Sequence, residues 1–102
     1  MAEALERFAD ISWQDVGELA RQKIIDNGEK RVRLLELQAG FREQEWCERG
    51  HTGYVVAGTV EVEFGDEVQS YNQGDALLIS RGHPHKARTA TGPATLFLVD
   101  EV

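Results

Sequence analysis

The sequence predicts an all-β fold, an antiparallel sandwich or barrel, on three observations. Apolar and polar residues alternate over short runs, glycine-marked turns separate those runs, and little of the chain keeps a helical period. At 102 residues the chain suits one domain, a core barrel over about residues 21–100 preceded by an N-terminal arm, 1–20. A chain of this size buries roughly two-thirds of its unfolded surface, enough for one core without cross-links.

Composition narrows the setting. The single cysteine, Cys47, cannot form an internal disulfide, so the fold needs no oxidising compartment. The opening residues MAEALERF carry acids and lack the apolar run of a secretory signal, and no apolar stretch approaches the ~20 residues that span a bilayer. A cytoplasmic protein with no membrane contact is expected. The net charge of -7, from 18 acidic and 11 basic residues, repels nucleic acid. The one dense basic stretch, Lys30-Arg31-Val32-Arg33, reads as a strand with a solvated basic edge.

Along the arm, Leu5 and Phe8 are spaced for a short helical turn or a docked arm. Ser12-Trp13-Gln14-Asp15 has the form of a capping box, with Val16, Leu19 and Ala20 on one helical face behind it. Gly17 interrupts that face, so helix and extended structure both stand for this stretch. Trp13 reads as a packing anchor. From Arg21 onward the pattern is that of strands. Lys23-Ile24-Ile25 leads into Asp26-Asn27-Gly28, where Asn-Gly favours the positive backbone angles of a tight hairpin. On the return strand, Arg31 to Gln38, the adjacent Leu34 and Leu35 face opposite sides. Both sides therefore meet apolar partners, one a core and the other a second sheet or another subunit.

Thr52 to Ala57 and Thr59 to Phe64 form a strand pair broken at Gly58. In the second, Val60, Val62 and Phe64 alternate with Thr59, Glu61 and Glu63, the mark of a strand with one wet face. Gly65-Asp66 turns into Glu67 to Tyr71, and Asn72 to Asp75 turns into the buried run Ala76 to Ile79. A loop at Ser80-Arg81-Gly82 precedes a strand from His85 to Thr89. After the turn at Gly92-Pro93, Thr95 to Val99 is too continuously apolar for a half-wet edge.

Two clusters carry chemistry. Between Gly40 and Gly58 lie Glu45, Cys47 and His51. If residues 43–47 are extended, Glu45 and Cys47 share a face, and a turn at Gly50 brings His51 back beside them. Carboxylate, thiolate and imidazole all ligate metals, and cysteine with histidine suits zinc or another borderline-soft transition metal. The spacing matches no common zinc motif, and a lone buried cysteine is ordinarily a small apolar side chain. The second cluster is His83-Pro84-His85, in which His83 reads as a solvated loop residue.

Together the clusters resemble the two motifs of the cupin superfamily. Its first motif runs G-x5-H-x-H, three or four residues, E, six residues and G. Six residues back from Gly58 stands His51, at the family's glutamate position. The three-residue gap then sets Cys47 and Glu45 at the two histidine positions. A four-residue gap would select Gln44 and Trp46, which are poor ligands. The spacing of the second motif, G-x5-P-x-G-x2-H-x3-N, is fitted by Gly74, Ser80, Gly82 and His85, with Ser80 at the proline position and Thr89 where the family has asparagine. The resemblance implies a small antiparallel β-barrel or double-sheet jelly roll of RmlC-like form. It implies a metal held by Glu45, Cys47, His51 and His85, an exchanged version of the family's three histidines and one glutamate. Zinc, iron, nickel and manganese all suit that set.

By the same alternation Val55, Ala87 and Thr89 line the pocket. Arg33, Arg42 and Arg88 are candidates to anchor an acidic ligand, with facing left open. The expected function is a metal-dependent oxygenase, isomerase or decarboxylase of small molecules, with Glu45 as a possible general base if it is not a ligand. The alternatives are a non-catalytic ligand- or metal-binding sensor and a structural barrel in which Cys47 is merely core. A DNA-binding helical domain does not fit in 102 residues. Small cupins commonly pair through N-terminal strands, so a homodimer is expected.

Overall fold

The structure is a computed structural model that describes residues 5–101; the first four residues of the expected arm and Val102 lie outside it. A 3-10 turn at Phe8–Asp10 is followed by β1 (Gln14–Asp15), β2 (Ala20–Asp26), β3 (Lys30–Leu37), β4 (His51–Glu63), β5 (Val68–Asn72), β6 (Ala76–Ile79), β7 (Lys86–Arg88) and β8 (Ala94–Glu101). Every strand pairing is antiparallel.

The strands form two layers that share β4. Its first half pairs with β8 and β6, in a large sheet ordered β1-β2-β3-β8-β4-β6. Its second half pairs with β5 and β7 in a small sheet. Bridges Arg42↔Arg88 and Cys47↔His85 add the irregular segment around residues 41–47 beyond β7. The sequence suggested two strands broken at Gly58. The structure instead has one continuous strand that bends as it changes sheets. The bend coincides with a register shift between Val55 and Ala57 and with the positive φ of Gly58, +78°. An inserted residue bends a strand and sharpens its twist, which is what crossing between layers requires.

The core lies between the layers. Leu37, Val55, Val60, Leu77, Leu96 and Leu98 are buried there. Alternation along β8 turns Ala94, Leu96 and Leu98 inward and leaves Thr95, Phe97 and Val99 on the outer face. β8 pairs with β3 on one side and β4 on the other, which explains why its sequence is apolar throughout. On β3, Leu35 faces inward and Leu34, opposite Phe97, faces outward. Beside that outer side of β3 the chain's own arm docks on β8, the Phe8 ring lying edge-on to Phe97 with centroids 6.4 Å apart.

The capping motif at Ser12 starts no helix. Gln14 and Asp15 pair with Gln22 and Arg21, and Val16 N–H donates to the Ala20 carbonyl at 2.9 Å, so the backbone is satisfied by the sheet. Trp13 anchors this edge beneath the Arg21 guanidinium and Lys23 Nζ, 4.2 and 4.8 Å from its ring. At the β2–β3 hairpin Gly28 alone takes a positive φ, while Asn27 Oδ1 accepts from the Glu29 and Lys30 N–H groups.

The shared-strand bend yields a test. At Gly58 a Cβ would overlap the Pro93 carbonyl oxygen in a backbone conformation that disfavours side chains. Gly58→Ala is expected to cost at least ~2 kcal/mol, read as a lowered denaturant midpoint at unchanged m-value. A midpoint equal to the wild type's would show that the crossing does not need glycine.

Candidate metal centre

Three residues from three parts of the chain converge at one end of the layer interface. Cys47 and His85 form a closed backbone pair, Cys47 N–H to His85 O at 2.8 Å and His85 N–H to Cys47 O at 3.0 Å. Directly opposed residues of an antiparallel pair project to the same face, so thiol and imidazole emerge together. Beyond Cys47 the chain turns through Glu48–Gly50, held by Gly82 N–H on the Glu48 carbonyl at 2.8 Å. Gly50 passes so close to β6 that a Cβ would sit 2.9 Å from the Ile79 carbonyl oxygen. The turn delivers His51 to the start of β4, opposite Ile79. Donor atoms of Cys47, His51 and His85 all lie within 4.8 Å of one another. The two imidazoles stand edge-on at 5.0 Å, and Cys47 Sγ is 4.0 Å from His51 Nε2.

The hydrogen bonding of these rings fits a metal. His85 is 1 % exposed, and its Nδ1 lies 2.8 Å from the His83 carbonyl oxygen. A carbonyl only accepts, so Nδ1 carries the proton and Nε2 presents a lone pair. That Nε2 is buried with no hydrogen-bond partner, and so is His51 Nδ1. Leaving such groups unsatisfied costs ~1–3 kcal/mol each. A ring oriented by one nitrogen with the other bare is the usual state of a metal-ligating histidine. His51 is held neutral as a ligand must be: its pKa falls from 6.5 to about 4, through burial first, then the charges of His85, Arg33 and Arg49, with Asp100 opposing.

Glu45 is not in this group. It is exposed, because the segment is not extended over residues 43–47. Glu43 pairs with Ala87 and Cys47 with His85, so two extra residues bulge out between the pairs, with bends at Gln44 and Glu45. The alternation that put Glu45 beside Cys47 is broken there. The carboxylate that reaches the cavity is Glu43, one oxygen of which accepts from Ala87 N–H at 2.8 Å. The sequence contained no mark of the bulge.

The cavity behind the three residues measures about 450 Å³, with Leu35, Phe41, Val60, Val62, Leu96 and Leu98 in its wall. Ala87 lines it as expected. Val55 and Thr89 do not line it. Val55 faces inward but is 0 % exposed within the packed core. Thr89 is buried with its hydroxyl donating to Gln38 O and accepting from Phe41 N–H, so it ties down the segment leading to the site. His83 is exposed, with its ring 5.2 Å from Phe64. Of the three arginines, only Arg33 faces the cavity; Arg42 and Arg88 pair with Glu63 on the outer face of the small sheet, and Arg88 also reaches Glu61.

The His51 environment sets a pH dependence for metal-free protein. The folded state resists protonating His51, whereas the unfolded chain takes the proton near 6.5. The stability held by neutral His51 is therefore complete above that pH and is lost as pH falls toward about 4. The melting temperature of metal-free wild type is expected to fall more steeply over this window than that of His51→Gln. Parallel curves would show that the two folded environments do not differ in proton uptake.

Comparison with known proteins bears on this arrangement. No curated protein matches the sequence. Among solved structures, KdgF from Halomonas sp. superposes with a TM-score of 0.83 at 22% identity, covering 98% of this chain and 94% of its own. The polyketide cyclase RemF from Streptomyces resistomycificus gives 0.83 at 19% identity, covering 99% and 80%. An RmlC-like cupin from Shewanella frigidimarina gives 0.81 at 16% identity, covering 98% and 91%. The profile of the cupin domain matches residues 33–100, which hold most of the jelly roll and all three converging residues. The chain belongs to the cupin family.

Proposed function

We propose that the protein binds a divalent transition metal, zinc or iron, through Cys47, His51 and His85, and acts on a small molecule in the adjoining cavity. The buried, unpartnered Nε2 of His85 carries this reading, because a lone pair presented there beside a second imidazole and a thiol has no protein partner. Three protein ligands leave one position of a four-coordinate site for substrate, the arrangement of catalytic rather than structural centres. A metal so bound supplies Lewis acidity toward a substrate oxygen. The chain's own residues do the rest. The apolar wall excludes water and packs the substrate body, and Glu43 is the carboxylate placed to hold or move a proton at its free oxygen. The enzymatic neighbours, a polyketide cyclase among them, support catalysis over storage.

Untagged wild type, purified under reducing conditions, is expected to carry about one metal per chain, with at least ~10-fold weaker retention in Cys47→Ala and His85→Ala. Wild type without stoichiometric metal would sink the reading, and full retention in both variants would refute the ligand set. A turnover screen over small oxo-acids, sugars and thiols then separates oxygenase, isomerase and decarboxylase chemistry. Retained metal with no turnover across the screen assigns a binding or sensing role instead.

The same reading includes a homodimer through the outer face of the large sheet. Ile25, Val32, Val99, Thr52 and Leu78 form one row across five strands there, with Leu78 81 % and neighbouring Tyr54 47 % exposed. Light scattering at micromolar concentration is expected to give twice the chain mass, and Leu78→Glu with Tyr54→Glu to give a monomer. Monomeric wild type would overturn the pairing.

A further inference from the structure

We propose that the substrate is a small carboxylate, anchored by Arg33 and Arg49 at the cavity mouth with its other end turned to Cys47, His51 and His85. Only the second half of this statement rests on the metal reading above.

Both arginines lie in the wall of the inner cavity and in that of the wider basin outside it, so they mark the passage between the two. Arg33 gets there by strand parity. It sits two residues before Leu35 on the inward face of β3, opposite Leu98 of β8. Its guanidinium is held in place: Nε–H donates to Asp100 Oδ2 at 2.6 Å and Nη1 to Gln22 Oε1 at 3.3 Å. Those bonds leave Nη2 without a protein acceptor among the described residues. A guanidinium held at Nε and Nη1 with Nη2 free is pre-organised to donate to an anion at the mouth. Arg49 has no carboxylate within ion-pairing distance among the described residues. It is an uncompensated cation beside a metal-capable centre.

Charge is distributed to match. The chain carries -7 overall, yet among the described residues Arg31, Arg33, Arg49 and Arg81 line the outer basin against Glu48 and Asp100. A cationic mouth on an acidic protein draws small anions to this opening and repels them elsewhere. Asp100 beside Arg33 penalises a dianion more than a monoanion, which favours a carboxylate over a phosphate. The inner cavity, about 450 Å³ and largely apolar in its wall, holds the body of a small organic acid.

The test is calorimetric titration of the monoanions pyruvate, 2-oxobutyrate and lactate, each beside its methyl ester, into metal-free and zinc-loaded protein. At least one acid is expected to bind wild type at least ~10-fold more tightly than its ester. Arg49→Gln, whose side chain is exposed, and Arg33→Gln are each expected to weaken that binding by a similar factor at unchanged zinc stoichiometry. Loss in Arg49→Gln alone sustains the proposal if Arg33→Gln fails to fold. Equal binding of acids and esters, equal affinity in Arg49→Gln and wild type, no binding of any of the three acids, or tighter binding of inorganic phosphate would each overturn it. Acid binding to metal-free protein that takes up no zinc would leave the anchor standing and sink the metal reading. Zinc uptake without acid binding would do the reverse.

Discussion

The shape of the site depends on one strand serving two sheets. β4 leaves the large sheet and enters the small one across the bend at Val55–Gly58, and the angle it makes there separates the two inner faces. Were β4 straight, Val60 and Val62 would not lie opposite Leu96 and Leu98, and the space between the layers would close. Because antiparallel pairing fixes side-chain parity on both sides of the bend, one shift places His51 inward at one end and Val62 inward at the other. The register irregularity is therefore a requirement of the cavity. It also explains why the strand pairs with four neighbours, more than any other in the fold.

Set on that frame, the centre is a local exception to how interiors are built. Buried nitrogen normally meets a hydrogen-bond partner. Here His85 is oriented by the carbonyl of His83 and its other nitrogen is left bare, next to a second imidazole in the same condition. The rings are close enough that His85 adds to burial in keeping His51 neutral. Folding this sequence thus concentrates unsatisfied lone pairs instead of dispersing them. The surrounding apolar wall makes the cost larger, and it makes any cation that satisfies them bind more firmly.

How much of this was legible follows from where periodicity held. Parity along Thr59–Phe64, the apolar run at Ala76–Ile79 and the glycine spacing of the two motifs are local signals, and they located the strands and the residues Cys47, His51 and His85. Glu45 was misplaced because the inference needed an unbroken two-residue period from 43 to 47. The two bulged residues that break it show only in the pairing of this segment with His85 and Ala87, a long-range feature with no trace in local sequence. The same bulge hid Glu43. Val55 was read correctly as inward, but parity says nothing of depth, so it could not distinguish core from cavity wall. Thr89 matched a motif position in spacing while its hydroxyl was committed to Gln38 and Phe41, a pairing across about half the chain. Ser12 had a capping pattern, and the nearby edge of β2 outcompeted the helix for its backbone.

The arginines show how parity turns composition into function. Arg88 and Arg33 are both strand residues, and composition cannot rank them. Arg88 lies on the outer face of β7, where Glu61 and Glu63 project from the wet side of β4 and neutralise it. Arg33 falls on the inner face of β3, where its one carboxylate partner among the described residues is Asp100, near the end of β8. One acid is enough to hold the guanidinium without covering it. The outer acids alternate along β4 with the valines of the core, so the pattern that builds the interior also removes surface arginines from competition for anions. An acidic exterior and a cationic mouth then arise from the same two-residue period.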